Sequence, residues 1–110
     1  MAKYLTIGYG DRSGYERTPQ SLRSAAHEQD SKLREGGAVI GIAGTPVQVR
    51  NTLGEQVETK TGAFMSSDLP IAGFAVIDAE DVSTAIQMVA QTPCAIAYGV
   101  VEVWPMEGAH

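Results

Sequence analysis

The sequence predicts an α+β domain with the split βαβ, ferredoxin-like order of elements: an antiparallel sheet with two helices on one face. Two strand–helix–strand patterns support this prediction, one between Lys3 and Ala43 and one between Ala72 and Pro105. The segment between them alternates as the arms of a hairpin do. A chain of 110 residues suffices for one modest core, so residues 1–110 are assigned to a single domain.

The N-terminal unit begins with a strand predicted over Lys3–Tyr9, which is rich in aromatic and β-branched residues. Gly10–Tyr15 contains two glycines and small polar residues, and it is predicted as a loop. The next helix is predicted to have Thr18 as its N-cap, Pro19 at its first helical position and Glu35 at its end.

This helix has a thin apolar stripe and a clear stop signal. Gly36-Gly37 supplies the left-handed backbone that a helix C-terminus favours, and Ala38–Ala43 then reads as an apolar strand. The stripe consists of Leu22, Ala25, Ala26 and Leu33. Such a helix buries one narrow face and leaves its other sides in water.

The middle segment is predicted as a hairpin. Val47–Arg50 alternates between apolar and polar residues, Leu53-Gly54 marks a turn, and Gln56–Thr59 returns as the second arm.

The C-terminal unit carries the clearest pattern. A strand over Ala72–Ile77 is predicted to end at Asp78, a helix to cover Ala79–Gln91, and a last strand to cover Val100–Trp104. Asp78 and Asp81 suit the N-terminus of that helix, and Thr92-Pro93 ends it. The helix stripe predicted to enter the core is Val82, Ala85, Ile86 and Val89.

The two predicted helices can cover only one of the two faces of the predicted sheet. Its strands read as apolar on both sides, whereas two helices cover one side. A homodimer that packs two such sheets face to face is therefore expected.

Composition restricts the partners and the compartment. The net charge of −5 and the eight scattered Lys and Arg disfavour nucleic acid and acidic membrane surfaces. The single cysteine, Cys94, excludes an intramolecular disulfide and has no activating partner in the sequence, so it is expected to be a structural thiol. Neither a signal-peptide core nor a run of about 18 apolar residues is present, so a soluble cytoplasmic protein is expected. No residue spacing matches a metal loop or a dinucleotide motif, and no cofactor is predicted.

His27 is the main candidate for chemistry. Its spacing from Arg23, Asp30 and Arg34 puts all four on one side of the first helix. A histidine beside a carboxylate is the minimal unit for general acid–base catalysis, with Asp30 as the partner. The alternative is a solvated helix face of mixed charge. The other histidine, His110, is the last residue and is expected to be disordered.

Two further residues are candidates for ligand binding. Arg50 lies in a strand and either anchors an anion through its planar fork or lies at an edge in water. Tyr9, near the end of the first strand, either offers its phenol to a ligand or packs its ring locally.

Several stretches together carry a family resemblance. They are Tyr4-Leu5 through Tyr9-Gly10, His27, Gly36-Gly37-Ala38-Val39, Val49-Arg50 with Gly54, Ala72–Ile77, Asp81–Ile86, Thr92-Pro93 and Val101-Glu102-Val103-Trp104-Pro105. In this combination the chain resembles the YCII-related proteins, in particular the branch named for an Asp-Gly-Pro-Phe motif. The resemblance covers nearly the whole chain.

The resemblance implies a dimeric α+β barrel with a cleft for small molecules between sheet and helices. It also implies a His–Asp dyad, and some members of the family accompany extracytoplasmic sigma factors. The motif stands here as Thr61-Gly62-Ala63-Phe64, without its aspartate, and the closing arginine is Trp104. Asp30 or Asp68 would have to serve as the partner of His27.

Two functions remain open at this point. The first is a cofactor-free enzyme acting on a small organic substrate, with His27 as general acid or base, Arg50 as anion anchor and Phe64 in the pocket wall. The second is a non-catalytic, dimeric module that binds a small molecule or another partner through the same cleft. The missing motif aspartate favours the second function, and the charge does not support a transcriptional role.

Overall fold

A computed structural model of the chain describes residues 1–108, so His110 lies outside the described residues. Strands and helices alternate along this part of the chain. They are β1 (Ala2–Tyr9), α1 (Arg12–Arg17), α2 (Gln20–Glu35), β2 (Val39–Ile42), β3 (Val47–Arg50), β4 (Glu58–Thr61), β5 (Ile71–Ala79), α3 (Val82–Val89), α4 (Pro93–Ile96) and β6 (Val100–Pro105). None of these helices has the length and apolar character that a membrane crossing requires.

The main sheet has four strands in the order β2-β5-β1-β6, and each neighbouring pair is antiparallel. Each strand–helix–strand unit therefore has one strand of the other unit inserted between its own two strands. This arrangement confirms an α+β domain with an antiparallel sheet, and it is compatible with the ferredoxin-like pattern. The strands β3 and β4 form a separate two-stranded sheet and do not extend the main one.

The core lies on one half of the helix-facing side of the sheet. Tyr4 on β1 pairs with Ile77 on β5, and both side chains are buried there. The helix α3 covers them through Ala85 and Val89, which are buried as well. The small side chain of Ala85 allows the helix to approach the strands closely.

The prediction that Ile86 belongs to the core is wrong. Its side chain is 51% exposed and that of Val82 is 48% exposed, whereas Ala85 and Val89 are buried. The helix α3 contacts the sheet along the line of Ala85 and Val89, and Ile86 lies on the flank of this line. Half of the predicted stripe is therefore left in water.

Replacing Ile77 with alanine is expected to lower the free energy of unfolding by about 2–5 kcal/mol. Ile77 is 1% exposed and is the largest fully buried side chain of the described residues, so its truncation leaves a cavity. Ile86→Ala is the matched control, because it removes the same atoms from a half-exposed site. Urea denaturation measures both variants, and equal midpoints for the two would contradict this account of the core.

Two caps in the N-terminal unit differ from the prediction. Gly10–Tyr15 is not a loop, because Asp11 accepts a hydrogen bond of 2.8 Å from the Gly14 amide and starts α1. The hydroxyl of Thr18 donates to the carbonyl oxygen of Gly14 at 2.9 Å, and Pro19 takes the N-cap position of α2. The predicted end of α2 at Glu35 is confirmed.

The helix of the C-terminal unit begins later than predicted, at Val82. The strand β5 continues through Asp78 to Ala79, and the carboxylate of Asp78 pairs with the Lys3 ammonium group at 3.0 Å. Asp81 is the N-cap instead, since it accepts from the Thr84 amide at 2.8 Å. These two hydrogen-bonding roles explain why α3 is shorter than the predicted helix over 79–91.

The β3–β4 hairpin projects from the domain. The radius of gyration is 15.8 Å, whereas a compact chain of this length has about 13 Å. All residues from 51 to 61 are exposed, and neither hairpin strand makes more than isolated contacts with another element of the described chain. The predicted bounds of β3 are confirmed, and β4 begins two residues later than its predicted arm.

Candidate functional site

A groove lies between α2 and the half of the sheet that α3 leaves uncovered. Its volume is about 1130 Å³, which is slightly above the usual range for small-molecule sites. The helices α1, α2 and α4 form its walls, and parts of β1, β2, β5 and β6 form its floor. The structure therefore has a cleft between sheet and helices, as the family resemblance implies.

Glycines shape the floor of the groove. Gly8 and Gly73 are partners on the neighbouring strands β1 and β5. A Cβ at Gly8 would lie 2.8 Å from Sγ of Cys94, and one at Gly73 would lie 2.7 Å from the Gly41 carbonyl oxygen. The missing side chains let α4 and β2 approach these strands, and they leave depth in the groove above Gly8 and Gly73.

The charged side of α2 faces this groove. Arg23, His27, Asp30 and Arg34 all line it, as their spacing predicts. The buried residues of α2, Ala26 and Leu33, hold the helix in place, and Gln29 donates to the Met88 carbonyl oxygen of α3 at 2.8 Å. The arrangement favours a ligand site over a helix face that is merely solvated.

Tyr15 contacts His27 directly, and the sequence pattern does not predict this contact. Its hydroxyl oxygen lies 2.8 Å from Nε2 of His27, and the two rings meet edge to face with centroids 5.8 Å apart. The guanidinium carbon of Arg23 lies 5.0 Å from the Tyr15 ring centroid. Helix α1 brings Tyr15 here, and Asp11 followed by Gly14 three positions later was the available signal for this helix.

Asp30 is close to His27 but does not orient it directly. Burial raises the pKa of Asp30, while the charges of Arg34 and His27 act in the opposite direction. Within the described part of the chain no hydrogen bond joins Asp30 to His27, whose Nε2 is engaged by Tyr15. Asp68, the other expected partner, is exposed and does not line the groove.

Cys94 lies in the groove on α4, over Gly8. Burial raises the pKa of its thiol, and the negative charge of Asp30 adds to this effect. The side chain is therefore a neutral thiol at physiological pH. This state agrees with the structural role that the sequence predicts.

Arg50 and Phe64 do not join this site within the protomer. Both side chains are exposed near the projecting hairpin, where the guanidinium carbon of Arg50 lies 5.6 Å from the Phe64 ring centroid. Neither residue lines the groove. Within the single chain Arg50 and Phe64 are therefore not grouped with His27, because the hairpin forms a separate sheet. Their part in ligand binding stays a prediction.

Tyr9 lies on the opposite face of the sheet. Its hydroxyl donates to Oε1 of Glu102 at 2.6 Å, and the indole N–H of Trp104 donates to the same oxygen at 3.3 Å. This hydrogen bond raises the pKa of Tyr9, and burial and the charge of Glu102 act in the same direction. Tyr9 therefore packs locally, which was the alternative to ligand binding.

No model of a known protein family matches the chain, and no curated protein matches it in sequence. The resemblance to YCII-related proteins therefore stays a prediction that rests on the sequence motifs. Since one fold can carry many activities, the function has to be argued from the residues of the groove. Among residues 1–108 no cluster of three or more His, Cys, Asp or Glu side chains has the arrangement of a metal site.

Proposed function

We propose that this protein is an enzyme that transfers a proton to or from a small organic substrate bound in the groove. The observation that carries the proposal is the 2.8 Å contact between Nε2 of His27 and the Tyr15 hydroxyl at the wall of that groove. Imidazole is the side chain best suited to general acid–base work near neutral pH. Proton transfer by a histidine needs no cofactor, and isomerisation and lactone chemistry are reactions of this class.

The neighbours of His27 support this role. The hydrogen bond between the Tyr15 hydroxyl and Nε2 restrains the orientation of the imidazole ring, and the phenol can pass a proton to or from Nε2. Apolar side chains on the strands and on α3 surround these polar groups, which strengthens electrostatic interactions with a bound substrate.

Proton exchange in heavy water tests the proposal without knowledge of the natural substrate. Levulinate, 2-oxobutyrate and α-angelica lactone each carry an acidic C–H next to a carbonyl group. We expect the protein to accelerate deuterium incorporation into at least one of them, as followed by proton NMR. Exchange at the buffer rate for every compound, together with a His27 NMR signal that none of them shifts, would contradict the proposal.

A non-catalytic binding module is the second candidate. It is favoured by the lack of a hydrogen bond between Asp30 and His27, and by Thr61 at the position of the motif aspartate. Such a module would show ligand-dependent shifts of His27 without any deuterium exchange. The two readouts of the same experiment therefore separate the two candidates.

The proposal also includes the family, the oligomeric state and the compartment. The chain is proposed to be a YCII-related protomer that forms a dimeric α+β barrel in the cytoplasm. The sheet face without helices supports it, because Val39, Phe74 and Trp104 are exposed there beside the half-buried Leu5 and Val76. Glu102, a carboxylate near the middle of that face, accepts two hydrogen bonds, which lower the cost of burying it against a second sheet.

We expect light scattering at micromolar concentration to give twice the protomer mass of 11.6 kDa. Val76→Lys should give the protomer mass while the fold is retained, because it places a charge on the uncovered sheet face. Gln87→Lys adds the same charge to the exposed side of α3 and should leave the dimer intact. A wild-type chain that scatters as a protomer would rule out the barrel.

A further inference from the structure

Two of the three arginines that line the groove have no salt-bridge partner among the described residues. Arg12 pairs with Glu16 at 3.9 Å, and Asp11 is occupied as the N-cap of α1. Within residues 1–108 neither Arg23 nor Arg34 is paired with a carboxylate at salt-bridge distance. Asp30 is therefore the remaining acidic group that faces two guanidinium groups and the His27 imidazole.

Arg23 is held in a way that suits ligand recognition. Its Nε is buried and has no hydrogen-bond partner among the described residues. A buried donor without an acceptor is destabilising, and a ligand oxygen would remove that cost. The cation–π contact with Tyr15 fixes the guanidinium fork next to His27, so little side-chain freedom is lost when an anion binds.

The remainder of the groove is apolar. Ile40 and Ile42 on β2, with Val89 and Val101 across the floor, present hydrocarbon surface, and Gly8 and Gly73 leave depth between them. A site with charge at one wall and hydrocarbon on its floor fits a ligand with one charged end and an apolar body.

We infer that the groove binds an organic oxyanion, a carboxylate or phosphate ester on an apolar body, and that Arg23 provides its anion subsite. The inference deepens the proposed function and rests on it for the groove as the substrate site. It also transfers the anchoring role predicted for Arg50 to Arg23 of α2, whose fork-shaped donors match the oxygens of both anion classes. The anion would hold the adjoining carbon within reach of the His27–Tyr15 pair.

Binding of three probes of one shape tests this subsite. Benzoate and phenyl phosphate carry the two anion types, and benzamide is a neutral counterpart of benzoate. We expect at least one anion to bind about tenfold or more tightly than benzamide, as measured by NMR titration or calorimetry. Arg23→Gln should remove most of this preference, and the relative affinity of the two anions identifies the class.

Lys32→Gln is the matched control, since it removes one positive charge from the same helix at a position that does not line the groove. It should retain the affinity of the wild-type protein, and circular dichroism checks that every variant is folded. The inference is overturned if benzamide binds as tightly as the anions, if neither anion binds, or if Lys32→Gln weakens binding as much as Arg23→Gln does.

The His27→Gln variant separates this inference from the proposed function. It should lose proton exchange but still bind the anion, because Arg23 remains. Anion binding that depends on Arg23, in a wild-type protein without exchange activity, would refute catalysis and leave the subsite standing. Exchange activity in a protein whose anion binding does not depend on Arg23 would support catalysis and refute the anion subsite.

Discussion

Replacing Gly99 with alanine is expected to lower the free energy of unfolding by about 1–3 kcal/mol or more. Gly99 lies in the tight turn between α4 and β6. A Cβ at this position would lie 2.1 Å from the carbonyl oxygen of Tyr9 and 2.5 Å from that of Cys94. Both neighbours are main-chain atoms, so no side-chain rotation can relieve the clash. Either β1 or α4 has to move.

The urea midpoint of the Gly99→Ala variant measures this effect. Gly44→Ala is the matched control, because a Cβ at Gly44 would meet no heavy atom within 4 Å. That variant should be about as stable as the wild-type protein. If the two variants unfold at the same urea concentration, the close approach of α4 to β1 is not a property of the folded state.

The position of Gly99 also matters for the groove. The turn holds α4 against the end of β1, and α4 carries Cys94 and Ala97 into the groove wall. A displaced α4 would move the Cys94 sulfur away from its place over Gly8. A partly folded Gly99→Ala protein should therefore bind probes more weakly, even though Gly99 itself does not line the groove.

Local sequence patterns predicted which helices and strands are present better than they predicted the residues at which these elements begin and end. The alternation in Val47–Arg50 and the helix stop at Gly36-Gly37 depend on short-range chemistry, and both appear as expected. Asp78 and Asp81 are equally good caps in the sequence. Only the pairing of Asp78 with Lys3, a residue far away in the chain, decides between them.

In the core, too, short-range patterns predict the helix, while its packing against a distant strand decides which of its residues are buried. Ala85 and Ile86 both belong to the apolar stripe of α3, and hydrophobicity alone favours the larger residue for the interior. The close packing of α3 on β5 selects the alanine and leaves Ile86 half exposed. Sequence periodicity gives the face of a helix, but not the line along which it contacts the sheet.

Within the candidate site, helical spacing brought together the residues of α2 but none from other elements. His27, Asp30 and the two arginines share one side of one helix, so the i+3 and i+4 rule applies to them. Tyr15 reaches His27 through α1, which was predicted as a loop. Phe64 was expected in the pocket wall, and it lies near the projecting hairpin instead.

Replacing His27 with glutamine is expected to slow the proposed proton exchange by about 10²–10⁴-fold. Glutamine retains a polar side chain of similar length, but it cannot take up or release a proton near neutral pH. Tyr15→Phe should have a smaller effect, about threefold to tenfold, because it removes one hydrogen bond to the imidazole and leaves the base in place. Deuterium incorporation into the most reactive probe measures both effects.

Glu28→Gln is the control for this pair, since Glu28 is the exposed neighbour of His27 on α2 and does not line the groove. It should exchange protons at the wild-type rate. The order of the three variants is more informative than any single rate. A base at His27 held by Tyr15 requires His27→Gln to be slowest and Tyr15→Phe to be intermediate. If Tyr15→Phe were as slow as His27→Gln, the phenol would be the reacting acid and the histidine its positioning residue.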